Sequence, residues 1–311
     1  MWHKGFAIAQ GLLIMTALFG CAPVKRPGIP LATLPGAPGH FGIGQILDLE
    51  AGARISFDDL IDRLSSRDLI FVGEVHDNPE HHLVQVQILQ ALAGLPPVAM
   101  AMEFFQRPAQ EILDRYVRGE MKESEFLEAV DWKETWGYDF HLYRPLLQIA
   151  REKGIRVLAI NAPSSIVRKV ARGGLRGLTE EERNLVPSDI DLGNQEHREY
   201  LFKAYAEHAS PDLKRFEDFY EAQCVWDETM AESLAAHLRD KGGRLVVFAG
   251  NGHIIHKFGV PDRTMRRFPV STATVLPYPL EGGVALERGM ADFVWLTAGY
   301  AHRFNGRMSA P

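Results

Sequence analysis

Leu69-Ile70-Phe71-Val72-Gly73-Glu74-Val75-His76-Asp77-Asn78-Pro79 is the stretch that decides the fold. Four apolar residues make a run of strand length, and a glycine ends it. Asn78 and Pro79 then stand where the N-cap and first residue of a helix belong. The stretch predicts a strand, a tight turn and a helix start, the repeating unit of a parallel sheet with helical crossovers. Glu74 and His76 are left at the carboxyl end of the strand, where open parallel sheets bind their ligands.

The same pattern recurs outward from it. Residues 98–103, Val-Ala-Met-Ala-Met-Glu, read as a strand covered on both faces and end in Glu103. Residues 156–160 form a third strand that stops at Asn161-Ala162-Pro163. Residues 245–249 form a fourth that runs into Gly250-Asn251-Gly252-His253. Residues 272–276 and 293–296 add strands at one edge. Helical spacing covers 55–64, 80–93, 108–116, 123–130, 146–153, 196–208 and 212–239. This alternation predicts an α/β fold: a mostly parallel sheet with helices on both faces and a small inserted helical subdomain, a cap over about 172–211.

In a parallel sheet the four strand ends share one edge, which would gather Glu74, His76, Glu103, Asn161 and His253. Two imidazoles and two carboxylates suit a divalent metal or a general acid/base pair. Glu74, His76, Glu103 and His253 are therefore the candidate metal ligands, and the candidate catalytic residues if the chain is a hydrolase. Gln223 and Asp227 interrupt the apolar stripe of the long helix, four residues apart on one face. A buried carboxylate needs a partner, so Asp227 faces either the polar edge or an arginine, in a site or in a structural hydrogen bond. Trp132, Trp136, Tyr138, Phe140 and Tyr143 crowd into residues 131–145, as a lid, a platform for a flat ligand, or a satellite hydrophobic cluster. His81 and His82 open a helix and are expected in solvent. Cys224 falls in a helical pattern and is expected to be a small buried hydrophobe.

The 311 residues suit one large or two small domains. A net charge of −6 argues against a nucleic-acid partner. There is no Gly-Lys-Ser phosphate loop, no Gly-x-Ser-x-Gly elbow and no Cys-x-x-Cys-His haem attachment sequence. At the N-terminus, His3 and Lys4 precede an apolar run over 6–19 that is short for a membrane span. Leu18-Phe19-Gly20-Cys21 then resembles a bacterial lipoprotein signal, an ordinary secretory signal or anchor helix being the alternatives. On the first reading, residues 1–20 are removed, Cys21 carries lipid, and the Pro- and Gly-rich residues 21–45 are a tether. Ala22 is not the acidic residue that retains lipoproteins in the inner membrane, which favours the outer membrane and a domain facing the periplasm.

Taken in order, five stretches resemble one known family: Gly73-Glu74-Val75-His76 with Asp77-Asn78, Met102-Glu103-Phe104-Phe105-Gln106-Arg107, Asn161-Ala162-Pro163, Ala222-Gln223-Cys224-Val225-Trp226-Asp227, and Ala249-Gly250-Asn251-Gly252-His253. It is the ChaN-like family of iron-regulated, haem-binding bacterial lipoproteins, and the likeness runs over about 60–276. The resemblance implies a ChaN-like domain over 46–311, haem as cofactor and a role in haem or iron uptake. It implies a homodimer enclosing two stacked haems, with an outer-membrane haem receptor as a further partner. It also implies a tyrosine as iron ligand (a phenolate is a legitimate one), for which Tyr138, Tyr143, Tyr200 and Tyr205 are candidates. The wider superfamily is similar to Tiki-type metalloproteases and erythromycin-esterase-like hydrolases. That keeps a metal-dependent hydrolase as the alternative, and leaves open whether the chain is an enzyme.

Overall fold

The computed structural model describes residues 30–95, 98–207 and 215–299. The expected signal segment, Cys21 and the end of the expected cap at 208–211 lie outside them. The chain begins with β1 (Ala32–Thr33), β2 (Ile46–Asp48), β3 (Ala53–Ile55) and α1 (Phe57–Ser65). Next come β4 (Leu69–Val72), α2 (Pro79–Leu92), β5 (Val98–Gln106), α3 (Gln110–Val117), α4 (Glu123–Ala129), α5 (Trp132–Thr135) and α6 (Phe140–Lys153). After these follow β6 (Arg156–Asn161), α7 (Ser164–Gly173), α8 (Glu180–Arg183), α9 (Gln195–Glu207) and α10 (Phe216–Lys241). The last elements are β7 (Arg244–Phe248), α11 (Val260–Arg267), β8 (Thr272–Leu280), β9 (Val284–Ala285) and β10 (Phe293–Ala298).

Eight strands form one sheet in the order β3-β2-β10-β8-β4-β7-β5-β6. From β10 to β6 every pairing is parallel; β2 and β3 add an antiparallel hairpin at one edge. The sheet is thus mostly parallel, as the alternation of strands and helices predicts. All four residues of β4 are fully buried, because both faces of the sheet are covered. Alternation along the strands divides the core in two. Ile70, Val72, Met100, Met102, Val246 and Phe248 join the side chains of α2, α3 and α6 on one face. Leu69, Phe71, Ala101, Leu245 and Val247 meet Met230, Leu234 and Leu238 of α10 on the other. Each such side chain contributes roughly 1.5–3 kcal/mol by leaving water.

Insertion of β7 between β4 and β5 is what positions the site. Val72, Phe248 and Met102 are in register across the three strands, so the turns that follow them emerge side by side. Beyond β4, the Asn78 side chain accepts from the Glu80 amide at 3.0 Å and Pro79 opens α2, as their positions predict.

Two expectations are corrected here, and one hairpin goes unannounced by the sequence. The tether does not extend to residue 45: β1 pairs with β9, and Leu34 and Phe41 are buried. Residues 46–55 form the β2–β3 hairpin, which three-residue strands are too short to announce by periodicity. Helix α6 starts at Phe140 rather than after Pro145, because the Asp139 side chain caps it by accepting from the His141 amide, and Pro145 is carried inside the helix. The segment read as a cap holds α8 and α9. It packs on α10 through Val186 against Ala222 and Val225, and through Leu201 against Tyr220 and Cys224. Cys224 is a free, buried thiol, as expected. Among the described residues no helix is long and apolar enough to cross a membrane.

Candidate functional site

The turn after β4 delivers one acidic and one basic group at once. Glu74 is buried, and its Oε1 accepts from His76 Nδ1 at 2.8 Å and from the Tyr143 hydroxyl at 3.1 Å. Its Oε2 accepts from Gln85 Nε2 of α2 at 2.8 Å. The carboxylate is therefore a clamp on the His76 ring, which fixes the imidazole so that Nε2 faces the site. His76 is partly open to solvent and lies against Trp136 and Tyr138, with ring centroids 4.8 and 4.9 Å away. Burial disfavours its charged form. The hydrogen bond from Glu74 and the charges of Glu103 and Glu74 outweigh that, and the ring is held above its ordinary value.

His253 follows β7 and sits between two carboxylates. Its Nδ1 donates to Asp227 Oδ1 at 2.6 Å, and its Nε2 lies 3.3 Å from Glu103 Oε1. Gln223, one turn before Asp227 on α10, brings its amide within 3.0 Å of the same Nδ1. Burial opposes the imidazolium, but the charges of Glu103 and Asp227 overcome it and push His253 up to about 10. The converse holds for Glu103: burial works to raise it, yet His253, His76 and the Gly250 amide bring it down to about 2. At neutral pH this is an imidazolium held between carboxylates.

Two glycines let the turns approach this closely. A Cβ on Gly250 would stand 2.8 Å from His76 Cε1 and 3.7 Å from Glu103 Oε2, so Gly250 fills the space between the two carboxylate–imidazole pairs. Its amide donates to Glu103 Oε2 at 2.6 Å, and the next amide, of Asn251, donates to the Glu74 carbonyl at 2.8 Å. A Cβ on Gly73 would meet Asn251 Oδ1 at 2.0 Å. The β7 turn thus ties the β4 and β5 ends together through its backbone.

The structure brings together Glu74, His76, Glu103 and His253, with Gln223 and Asp227 behind His253. Asn161 stands apart: its strand lies beyond β5, and its Oδ1 accepts from the Ala162 amide at 2.8 Å. Among the described residues no three of His, Cys, Asp and Glu converge as ligands would. Glu74 is consumed by His76, Gln85 and Tyr143, and both imidazoles have Nδ1 committed to a carboxylate. His81 and His82 are not in solvent but fully buried. His81 Nδ1 accepts from the Val75 amide at 2.8 Å, and its Nε2 lies 3.0 Å from Thr297 Oγ1. Burial, followed by the charge of His82, pushes His81 down to about 3.

The four candidate tyrosines separate by environment. Tyr143 is buried and bonded to Glu74, and burial holds its phenol far above the usual range. Tyr205 packs against Phe216 and Phe219. Tyr200 lies beside His256 and Phe258, at 5.8 and 6.4 Å between centroids. Tyr138 is 38% exposed at the strand edge, beside His76 and Trp136. The residues 131–145 are therefore both cluster and rim: Trp132 and Phe140 pack inward, while Tyr138 faces out. Gln85, His197 and Arg263 are site-supporting residues that the sequence reading missed. Gln85 interrupts the apolar face of α2 as Gln223 does that of α10, and that signal was readable.

Residues 60–264 match the family described as haem-binding uptake, Tiki superfamily, ChaN. The chain belongs to this family. Among solved structures it is similar to ChaN of Campylobacter jejuni, whose structure is described as cofacial haem binding. The TM-score is 0.65 at 23% identity, covering 80% of this chain and 95% of that one. An erythromycin esterase mutant in its open conformation matches at a TM-score of 0.47 and 13% identity, over 76% of this chain and 77% of that one. Among curated proteins the chain is 24% identical, over 263 residues, to the chloroplastic protein RETICULATA-RELATED 5 of Arabidopsis thaliana. The match takes in 76% of this chain and 35% of that protein.

Proposed function

We propose that this protein binds haem at the carboxyl edge of its sheet and serves haem or iron uptake as a lipid-anchored protein of the outer membrane, facing the periplasm. Membership of the haem-binding ChaN family carries the reading. The residues present fit the group: Tyr138 offers a solvent-facing phenol beside the flat apolar surface of Trp136 and an imidazole, His76. Haem would supply an iron, for which a phenolate is a legitimate ligand. Tyr138 would hold it. Burial and then the charges of Asp77, Glu103 and Glu74 keep the Tyr138 phenol protonated beyond its ordinary range, so it must release a proton on binding. A second copy of the chain would cover the exposed face of haem, as would be needed for a homodimer; an outer-membrane haem receptor is the corresponding delivery partner. Lipid at Cys21 provides the anchor. Hemin titration of the full chain tests the reading: a saturable Soret band that weakens in Tyr138→Phe supports it, and no saturable band overturns it.

A second reading rests on a different observation: His76 and His253 each lean on a carboxylate and flank Gly250. Such a pair performs general acid–base chemistry, with His253 as the held acid and His76 as the group able to accept a proton. This is a hydrolase reading with water as nucleophile. Its test is turnover of a panel of esters and amides by the full chain. Activity lost in both His76→Gln and His253→Gln supports the reading; no turnover by the native protein removes it.

A further inference from the structure

Three buried polar atoms without hydrogen-bond partners meet behind His253: Asp227 Oδ2, His197 Nε2 and Arg263 Nε. His197 Nε2 is 3.8 Å from Asp227 Oδ2, and Arg263 Nε is 4.0 Å from the same oxygen. None of the three residues is more than 3% exposed. Isolated buried polar atoms are costly, and these face one another across three different elements: α9, α10 and α11.

The remaining bonds give the cluster a direction. Arg263 Nη1 is committed to Glu228 and to the Asp191 carbonyl. Arg263 Nη2 donates to Cys224 Sγ at 3.2 Å and lies 3.4 Å from His197 Nδ1. A guanidinium only donates, so His197 Nδ1 is the acceptor and the ring proton sits on Nε2, aimed at Asp227. Asp227 in turn receives His253 Nδ1, and His253 Nε2 points to Glu103. The groups facing His197 are Asp227 and Cys224 from α10, Arg263 from α11, and the rings of Tyr220 and Phe258. Those facing His253 are Glu103, Asp227 and Gln223, with the Trp226 ring.

We propose that His197 is a positioning residue for His253: Arg263 sets its tautomer, its Nε2–H is directed at the outer oxygen of Asp227, and helix α9 is thereby joined to the strand edge. The proposal rests on the reading that His253 is a working group of that edge. It goes beyond it by making α9 part of the site. The 3.8 Å step is the longest in the chain of contacts, so a shift of α9 of under 1 Å would close it. Its closure orients Asp227 and, through Asp227, the His253 ring.

Long-range proton–nitrogen NMR on the full chain, with nitrogen-labelled histidine, tests this directly. In the native protein His197 must be neutral with its proton on Nε2; a proton on Nδ1 or a doubly protonated ring overturns the proposal with no variant needed. His197→Phe keeps the ring volume and removes the donor. It is expected to speed exchange of the His253 Nδ1 proton by about tenfold or more, the worth of the hydrogen bond to a charged group that closing the 3.8 Å step makes. His197→Gln, whose amide nitrogen can reach the Nε2 position, is expected to restore slow exchange. Unchanged exchange in a folded His197→Phe protein overturns the proposal. The reading beneath it fails separately, if His253→Gln leaves both hemin binding and ester turnover unaltered while the His197 tautomer is as described.

Discussion

At the scale of single residues, the site is governed by which groups share a proton. The folded His253 value, about 10, lies above the ordinary 6.5 of a histidine. The stability this supplies is fully present below pH 6.5 and is lost as pH rises toward 10. Glu103 has the opposite sign: its contribution is present above 4.5 and lost as pH falls through about 2. Denaturation of the native chain should therefore show stability declining between pH 6.5 and 10, by at most about 1.4 kcal/mol per pH unit from this group. Glu103→Gln should flatten that alkaline decline and lower the His253 titration by NMR; an unchanged His253 titration would contradict the pairing. Gly250→Ala gives a second residue-scale prediction. The added Cβ would meet His76 Cε1 at 2.8 Å, and that ring is bonded to Glu74 and packed between Trp136 and Tyr138. The His76 ring signals should move while those of His81, held elsewhere by Val75 and Thr297, stay in place.

At the scale of elements, β4 and α2 show what the sequence states openly. A strand-length apolar run, a glycine and an Asn-Pro pair leave few alternatives, and the structure has each in place. Asn78→Ala removes the α2 cap and should cost about 1 kcal/mol in chemical denaturation; no loss would mean that the cap carries nothing. Other features lay beyond local pattern. Asn161 reads like Glu103, a polar residue ending an apolar strand, and only the insertion of β7 between β4 and β5 shows that Asn161 is one strand too far. Tyr138 and Tyr143 stand five residues apart in one aromatic stretch. Their different fates, one exposed and one bonded to Glu74, follow from the start of α6 at Phe140. His81 looked like a solvated helix opener because the N-terminal turn of a surface helix faces water; here that turn lies beneath the β4 turn and receives the Val75 amide.

At the scale of the molecule, the sheet gathers three strand ends into one acidic edge with a tyrosine on its rim. If the Tyr138 phenol gives up its proton to hold iron, hemin affinity must rise with pH. The expected slope approaches about tenfold per pH unit below the phenol's raised value, since one proton leaves for each haem bound. A pH-independent affinity would assign iron to a group that needs no deprotonation. The most direct measurement is hemin titration by Soret absorbance, run on the full native chain and on Tyr138→Phe in parallel. The account predicts a saturable band in the native protein and at least about a tenfold loss of affinity in Tyr138→Phe, the worth of roughly 1.4 kcal/mol. No saturable band in the native protein would contradict haem binding itself. Equal affinity in the two would contradict the placement of haem at the Tyr138 edge.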